Sequence, residues 1–337
     1  MDFELSDDQE ALRDAAAALL DDHASPARVR AVVNDGATHD ERLWAAMVDQ
    51  GWLGVAEPES LGGLGLGFVE LAVLLEQIGG RAAPAPFLST ALALAALRGT
   101  PWHDRLIDGA IGAVAWSPGA ADRALVPYAP VADVAVVVTG DRVVVHDLTV
   151  GDRPAREPAM DVTRCVGWLA ADRPGAVVIE ADVATLVDRG AVAVAAEALG
   201  GAAKVLDLTV EHAKSRVQFG QPIGSFQAVK HRCADMLVDV EGMRSTTYHA
   251  AWALAADDPE ASVAASTAKS WSGDAARRVM ASGLQVHGGI GFTWEHDLHL
   301  YMKRAQLDHQ SFGTPTTHRQ RLATLLRPRI EAAESIV

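Results

Sequence analysis

The chain has 337 residues, 49% of them hydrophobic and 22% charged, which is the composition of a folded protein long enough for two or three packed domains. Its formal charge of -15 repels phosphate backbones and excludes nucleic acid as a general partner, so any anionic ligand must be met by a local group of Arg or Lys. Aromatics make up only 5%, and the apolar set is dominated by Ala and Val, which suits closely packed helices. Cys165 and Cys233 have neither metal-ligand nor redox spacing, so no metal is expected. Met1-Asp2-Phe3-Glu4 carries acid where a signal peptide needs base, and no apolar run reaches membrane-spanning length. The expectation is a soluble, cytoplasmic chain with no membrane contact.

The first hundred residues read as helices joined by short loops. Ser6 and Gln9 form a capping box ahead of Leu12, Ala15, Ala16, Leu19 and Leu20 at helical spacing. A second helix carries Leu43, Trp44, Met47 and Trp52, with Gly51 and Gly54 marking its end. The glycines at 62, 63, 65 and 67 make a turn before the helical period resumes at Val69. Gly63-x-Gly65-x-Gly67 has the look of a dinucleotide loop, but no strand precedes it, so it is read as a turn.

From Ile111 the texture changes to short valine-rich runs. Ala132 to Val138 and Arg142 to His146 form a hairpin about Thr139-Gly140-Asp141, and Ala176 to Glu180 fits another strand. After Asp182 helices return. One spans Val183 to about Lys214, with Ala and Gly on faces that must approach neighbours closely. A second is capped by Ser225 and runs through Val229, Cys233, Met236, Leu237, Val240 and Met243. A third covers Ala261 to Val286, and a last begins near Thr316. The fold class is mostly α with a small β domain, divided as 1–108, 109–182 and 183–337.

Two segments carry chemistry. Arg216-Val-Gln-Phe219-Gly220 through Gly224-Ser-Phe-Gln227 lies between the first two C-terminal helices, and Gln285-Val-His-Gly288-Gly289-Ile-Gly291-Phe292 follows the third. Each suits a pyrophosphate: an arginine offers bidentate, always-charged donors, and glycines let backbone N–H groups approach phosphate oxygens. A Gly-Gly pair alone is more often a helix C-cap, and an isolated Arg a solvated charge. The two together, in a helix–strand–helix chain, resemble the acyl-CoA dehydrogenase family across nearly the whole length. The fold this implies is an N-terminal helical domain, a middle β domain and a C-terminal four-helix bundle.

The resemblance implies that Arg216, Phe219, Gln227, Gln285, Gly288 and Gly289 clasp the FAD of a neighbouring subunit, with Thr314 retained on the flavin side. It implies an acyl-CoA substrate and an electron-transferring flavoprotein as acceptor. It also exposes a gap. α-Proton abstraction needs a carboxylate base, which most of the family places just before a Gly-Thr near the last helix; here Phe312 stands there, in Ser311-Phe312-Gly313-Thr314. The family's alternative position falls at Gly190, with Asp188 nearby but about 200° around the helix. Glu197 and Glu241 read as paired or exposed charges. The own-subunit flavin segment is reduced to Ala115-Trp116-Ser117-Pro118-Gly119, and the next strand offers Leu125 and Pro127, the latter with no N–H or hydroxyl to give.

The half that serves a neighbour's FAD is therefore intact while the half for this chain's own flavin is eroded. This is similar to the shorter subunits of heteromeric (α2β2) steroid acyl-CoA dehydrogenases. Two other readings stay open: a self-sufficient homo-oligomer with an unrecognised base, and a non-catalytic acyl-CoA-binding or structural relative.

Overall fold

A computed structural model describes residues 4–117, 122–170 and 172–333. The N-terminal part is six helices: α1 (Asp7–His23), α2 (Pro26–Asn34), α3 (Glu41–Asp49), α4 (Phe68–Gly80), α5 (Phe87–Ala96) and α6 (Pro101–Ile107). The Ser6/Gln9 capping box forms with both of its reciprocal bonds. Gly51, at φ +72°, stops α3. The Gly62–Gly67 stretch is a turn held by packing, since a Cβ on Gly63 would lie 2.1 Å from the Glu57 carbonyl oxygen.

Among the described residues six strands follow: β1 (Gly112–Ser117), β2 (Arg123–Pro127), β3 (Val134–Thr139), β4 (Arg142–Asp147), β5 (Val166–Ala170) and β6 (Val177–Ile179). One sheet has the order β1-β3-β4-β6 and a second is β2-β5. β3 and β4 form the expected hairpin, with Thr139 opposite Arg142 and Gly140 at φ +59° in the two-residue turn. β1 pairs parallel with β3, and every residue of β3 is buried. Pro118 and Gly119 lie outside the described residues.

The C-terminal half holds α7 (Val183–Ser215), a two-residue hairpin of β7 (Val217–Gln218) and β8 (Gln221–Pro222), then α8 (Gln227–Ala255), α9 (Ala261–His287), α10 (Leu298–Gln310) and α11 (Pro315–Glu331). α9 is the hub, packing against α7, α8, α10 and α11. The bundle thus has a fifth helix, α10, that the sequence reading passed over. Its buried face includes Arg304 and Asp308, so the apolar period is interrupted by ion-pairing residues. Ser225 is not the cap of α8. Its hydroxyl donates to the Pro222 carbonyl within a short 3-10 turn, and Phe226 is the N-cap residue.

Small residues bring α4 and α7 together. A Cβ on Gly79 would lie 1.9 Å from the Glu197 carbonyl oxygen, and one on Gly200 would lie 1.8 Å from that of Glu76. That close crossing fixes the middle of α7 against α4. No helix among the described residues is long and apolar enough to cross a membrane.

Candidate active site and cofactor arm

A cavity of about 180 Å³ lies where the β region meets the bundle. Its wall draws on Trp116 from β1, Leu125 and Pro127 from β2, Val194 and Glu197 from α7, and Phe312 from the loop between α10 and α11. These are the positions where sequence reasoning expected the chain's own flavin and acyl site. The structure brings Phe312 and Gly190 together: a Cβ on Gly190 would lie 2.1 Å from the Phe312 ring. The two positions where the resemblance would place a base therefore face each other, and the Phe312 ring occupies the space a side chain on Gly190 would need. Phe312 is 5% exposed and sits at φ +51°, an uncommon conformation for a bulky residue. His318 donates to its carbonyl at 2.7 Å and holds it there.

The nearby carboxylates are committed elsewhere. Asp188 is buried, forms an ion pair with Arg321 of α11, and accepts from Ser262 at 2.5 Å, so it faces α9 and α11 and not the cavity. Glu197 does reach the cavity wall, yet both its oxygens take charge-assisted bonds, from Arg164 and from Arg304 at 3.1 Å. Arg164 also bonds Asp308 at 2.7 Å, and the Asp308 carboxyl is pushed up to about 6, by burial first and then by Glu197, against the pull of Arg164. Lys269, buried on α9, donates to the Asp308 carbonyl at 2.7 Å, and burial draws its ammonium down to about 8. Sequence reasoning missed this network because its members lie far apart in the chain. Glu241 is exposed and pairs weakly with Arg244 at 3.5 Å.

Pro127 pairs in β2 opposite Val166, and Leu125 is partly exposed. Thr314 is the N-cap of α11, its Oγ1 accepting from the Thr317 N–H at 3.2 Å. It is thus a structural cap as well as a candidate flavin contact.

The second region is the arm formed by the ends of α7 and α9. Arg216 caps α7 and is exposed, without an ion pair among the described residues. Phe219 (φ +52°, 92% exposed) and Gly220 (φ +79°) make the tip of the β7–β8 hairpin. Gln227 opens α8, and Gln285 lies in the last turns of α9; both are exposed. Gly288, at φ +64°, ends α9, and a Cβ on either Gly288 or Gly289 would meet nothing within 4 Å. Open space in front of these two glycines and the unpaired Arg216 guanidinium at the end of α7 fit a pyrophosphate laid against the arm. The two halves of the arm are tied by His212 of α7 and His287 of α9, whose rings stack at 4.3 Å.

Comparison with known proteins agrees with this geometry. The family description "Acyl-CoA dehydrogenase, C-terminal domain" matches residues 181–326, and "Acyl-CoA dehydrogenase, N-terminal domain" matches residues 6–100. The chain is 38% identical over 323 residues to acyl-CoA dehydrogenase IpdE2 of Mycolicibacterium smegmatis, covering 94% of this chain and 98% of that one. Among solved structures it resembles a variant of the Tcur3481-Tcur3483 steroid ACAD, with a TM-score of 0.85 at 29% identity over 96% of this chain and 99% of that one. It also resembles the ChsE4-ChsE5 complex of Mycobacterium tuberculosis, with a TM-score of 0.85 at 27% identity over the full length of both.

Proposed function

Because this chain belongs to the acyl-CoA dehydrogenase family, we propose that it is one subunit of a hetero-oligomeric, FAD-dependent acyl-CoA dehydrogenase whose catalytic base comes from a second subunit. The observation that carries this is the Phe312 ring packed on Gly190. Neither residue carries a carboxylate, and the carboxylates near them in sequence, Asp188, Glu197 and Asp308, are each paired with arginine. The same facts argue against a self-sufficient enzyme. The exposed arm argues against a relative that has abandoned flavin, since the Arg216 guanidinium has no ion-pair partner among the described residues and Gly289 has neither a positive φ nor a neighbour that a Cβ would meet.

FAD, when bound, supplies the acceptor for the substrate's β-hydrogen. This chain's part is to hold it. Arg216 donates charge-assisted bonds to the pyrophosphate, Gly288 and Gly289 offer backbone N–H groups, and Phe219, Gln227 and Gln285 flank the remainder, with Thr314 a further contact. The boundaries at about residues 108 and 182 divide the chain into a helical cover, a reduced β region and this holding and assembling half.

The substrate class we assign is an acyl-CoA thioester carrying a steroid-derived acyl group. The likeness to a steroid ACAD and to the two-component ChsE4-ChsE5 complex supports both this and an α2β2 assembly. An electron-transferring flavoprotein is the acceptor, and the assembly works in the cytoplasm. The test is paired mutation. Changing the partner's base Glu to Gln should remove about a hundred- to ten-thousandfold of turnover, whereas Asp188→Asn in this chain should lower it less than about tenfold. Collapse on changing Asp188 alone, with flavin still bound, would move the active site into this chain.

A further inference from the structure

The arm contains a group that its proposed role does not yet use. Three imidazoles pack in series where α7, α9 and the loop before α10 meet. His212 stacks on His287 at 4.3 Å, and His287 meets His296 edge to face at 4.6 Å. His287 is the residue immediately before Gly288, and His212 is four residues before Arg216.

The hydrogen bonds constrain two of the three rings. His287 Nδ1 lies 2.8 Å from the Gly283 carbonyl, which can only accept, so Nδ1 carries a proton. Nε2 is buried and without a partner among the described residues, which favours the neutral ring with Nε2 bare. His296 Nδ1 accepts from the Leu298 N–H at 3.2 Å, so that nitrogen is also unprotonated. The folded arm therefore needs a neutral stack. A second proton on His287 would sit on a buried nitrogen with nothing to receive it, and one on His296 Nδ1 would cost the start of α10 its bond.

The surrounding charges are mixed. Arg216 of α7 opposes a proton on His212 and Arg30 of α2 opposes one on His296, while Lys303 of α10 acts on His299 outside the stack; the loop carries Glu295 and Asp297, and Asp297, paired with Arg30 at 2.6 Å, favours a proton on His296, although burial outweighs it.

We propose, resting on the flavin-holding reading above, that His287 is a positioning residue for the Gly288–Gly289 half of the arm and that its stack with His212 and His296 makes FAD retention fall on acidification. Neutral His287 ties Gly288 to the last turn of α9 and braces it against α7. Charging the stack forces the two halves of the arm apart.

The direction follows from linkage. A free imidazole titrates near 6.5, and burial first, then the neighbouring imidazoles, hold His287 down to about 4 against the Gly283 bond. His212 and His296 are shifted the same way, chiefly by burial. The closed arm thus binds fewer protons than the open one. Its closure is fully favoured above pH 6.5 and weakens as the pH falls from there toward 4. His287 alone can weaken retention by up to about tenfold at pH 5.5 relative to pH 7.5.

The experiment uses the assembly of this chain with its partner subunit, diluted at pH 7.5, 6.5 and 5.5, with released FAD read by fluorescence and helicity by circular dichroism. The expected result is weaker retention at pH 5.5 by about tenfold or more, at unchanged helicity. His287→Gln should hold FAD less well at pH 7.5 and lose most of the pH dependence. His212→Gln, which spares the Gly283 bond, should make the dependence shallower. Unchanged pH dependence in both variants, or tighter retention at pH 5.5, would overturn the proposal while leaving the flavin-holding role standing. An assembly that carries no FAD even at pH 7.5 would overturn both.

Discussion

Arg216 is where the site can be tested one residue at a time. Replacing it with Ala should weaken FAD retention in the assembled complex by about 1.5–3 kcal/mol, the worth of a charge-assisted contact. Retention on dilution that matches the unmodified assembly would return Arg216 to the status of a surface charge. Gly289→Ala separates cofactor binding from folding. Its Cβ would meet nothing within 4 Å, so thermal unfolding should move by no more than about 0.5 kcal/mol while FAD retention falls. The Phe312–Gly190 contact is a coupled pair. Gly190→Ala alone should destabilise the chain by about 1–3 kcal/mol through overpacking. In a Phe312→Ala background the added methyl enters the vacated space and should cost far less, a non-additivity that denaturant titration of the two single variants and the double variant would measure. At this scale the arm was legible because Arg216 and Gly288–Gly289 sit in short contiguous motifs. Phe312 and Gly190 were each legible as positions without a base, but their contact joins residues 122 apart in sequence and only folding places them together. The pairing of Glu197 with Arg164, Arg304 and their neighbours was hidden for the same reason.

The elements depend on close approach more than on large apolar side chains. α4 and α7 cross at Gly79 and Gly200, where added methyls would overlap carbonyl oxygens of the opposing helix. Gly200→Ala should therefore cost about 3 kcal/mol, the upper part of the overpacking range, and lower the melting temperature accordingly. A change below about 0.5 kcal/mol would show that the helices are not held at this distance. The long Ala- and Gly-rich helix was readable because its small residues recur along a clear helical period. α10 was not, since Arg304 and Asp308 occupy buried positions that a periodicity reading treats as solvent-facing. The start of α8 was misplaced for a local reason. Ser225 belongs to the residue class that caps helices, but its hydroxyl is spent on Pro222 in the preceding turn.

At the scale of the whole molecule the chain is asymmetric: an exposed arm carrying Arg216 and open glycines, and an internal cavity where the Phe312 ring packs on Gly190. The helical and β regions followed from composition, periodicity and turn residues. The sharing of chemistry between chains could be read only as the contrast between an intact motif and a missing carboxylate. Much apolar surface also stays open on the arm and nearby, with Phe219 92%, Phe292 70% and Trp294 67% exposed, as expected of a chain that is covered by another. The most direct measurement is the flavin content and visible spectrum of this chain purified alone and again after co-expression with a catalytic acyl-CoA dehydrogenase subunit. The account predicts a colourless or poorly soluble chain alone, and a stable yellow complex with fewer flavins than chains when the partner is present. A stable yellow homo-oligomer carrying one FAD per chain would contradict it.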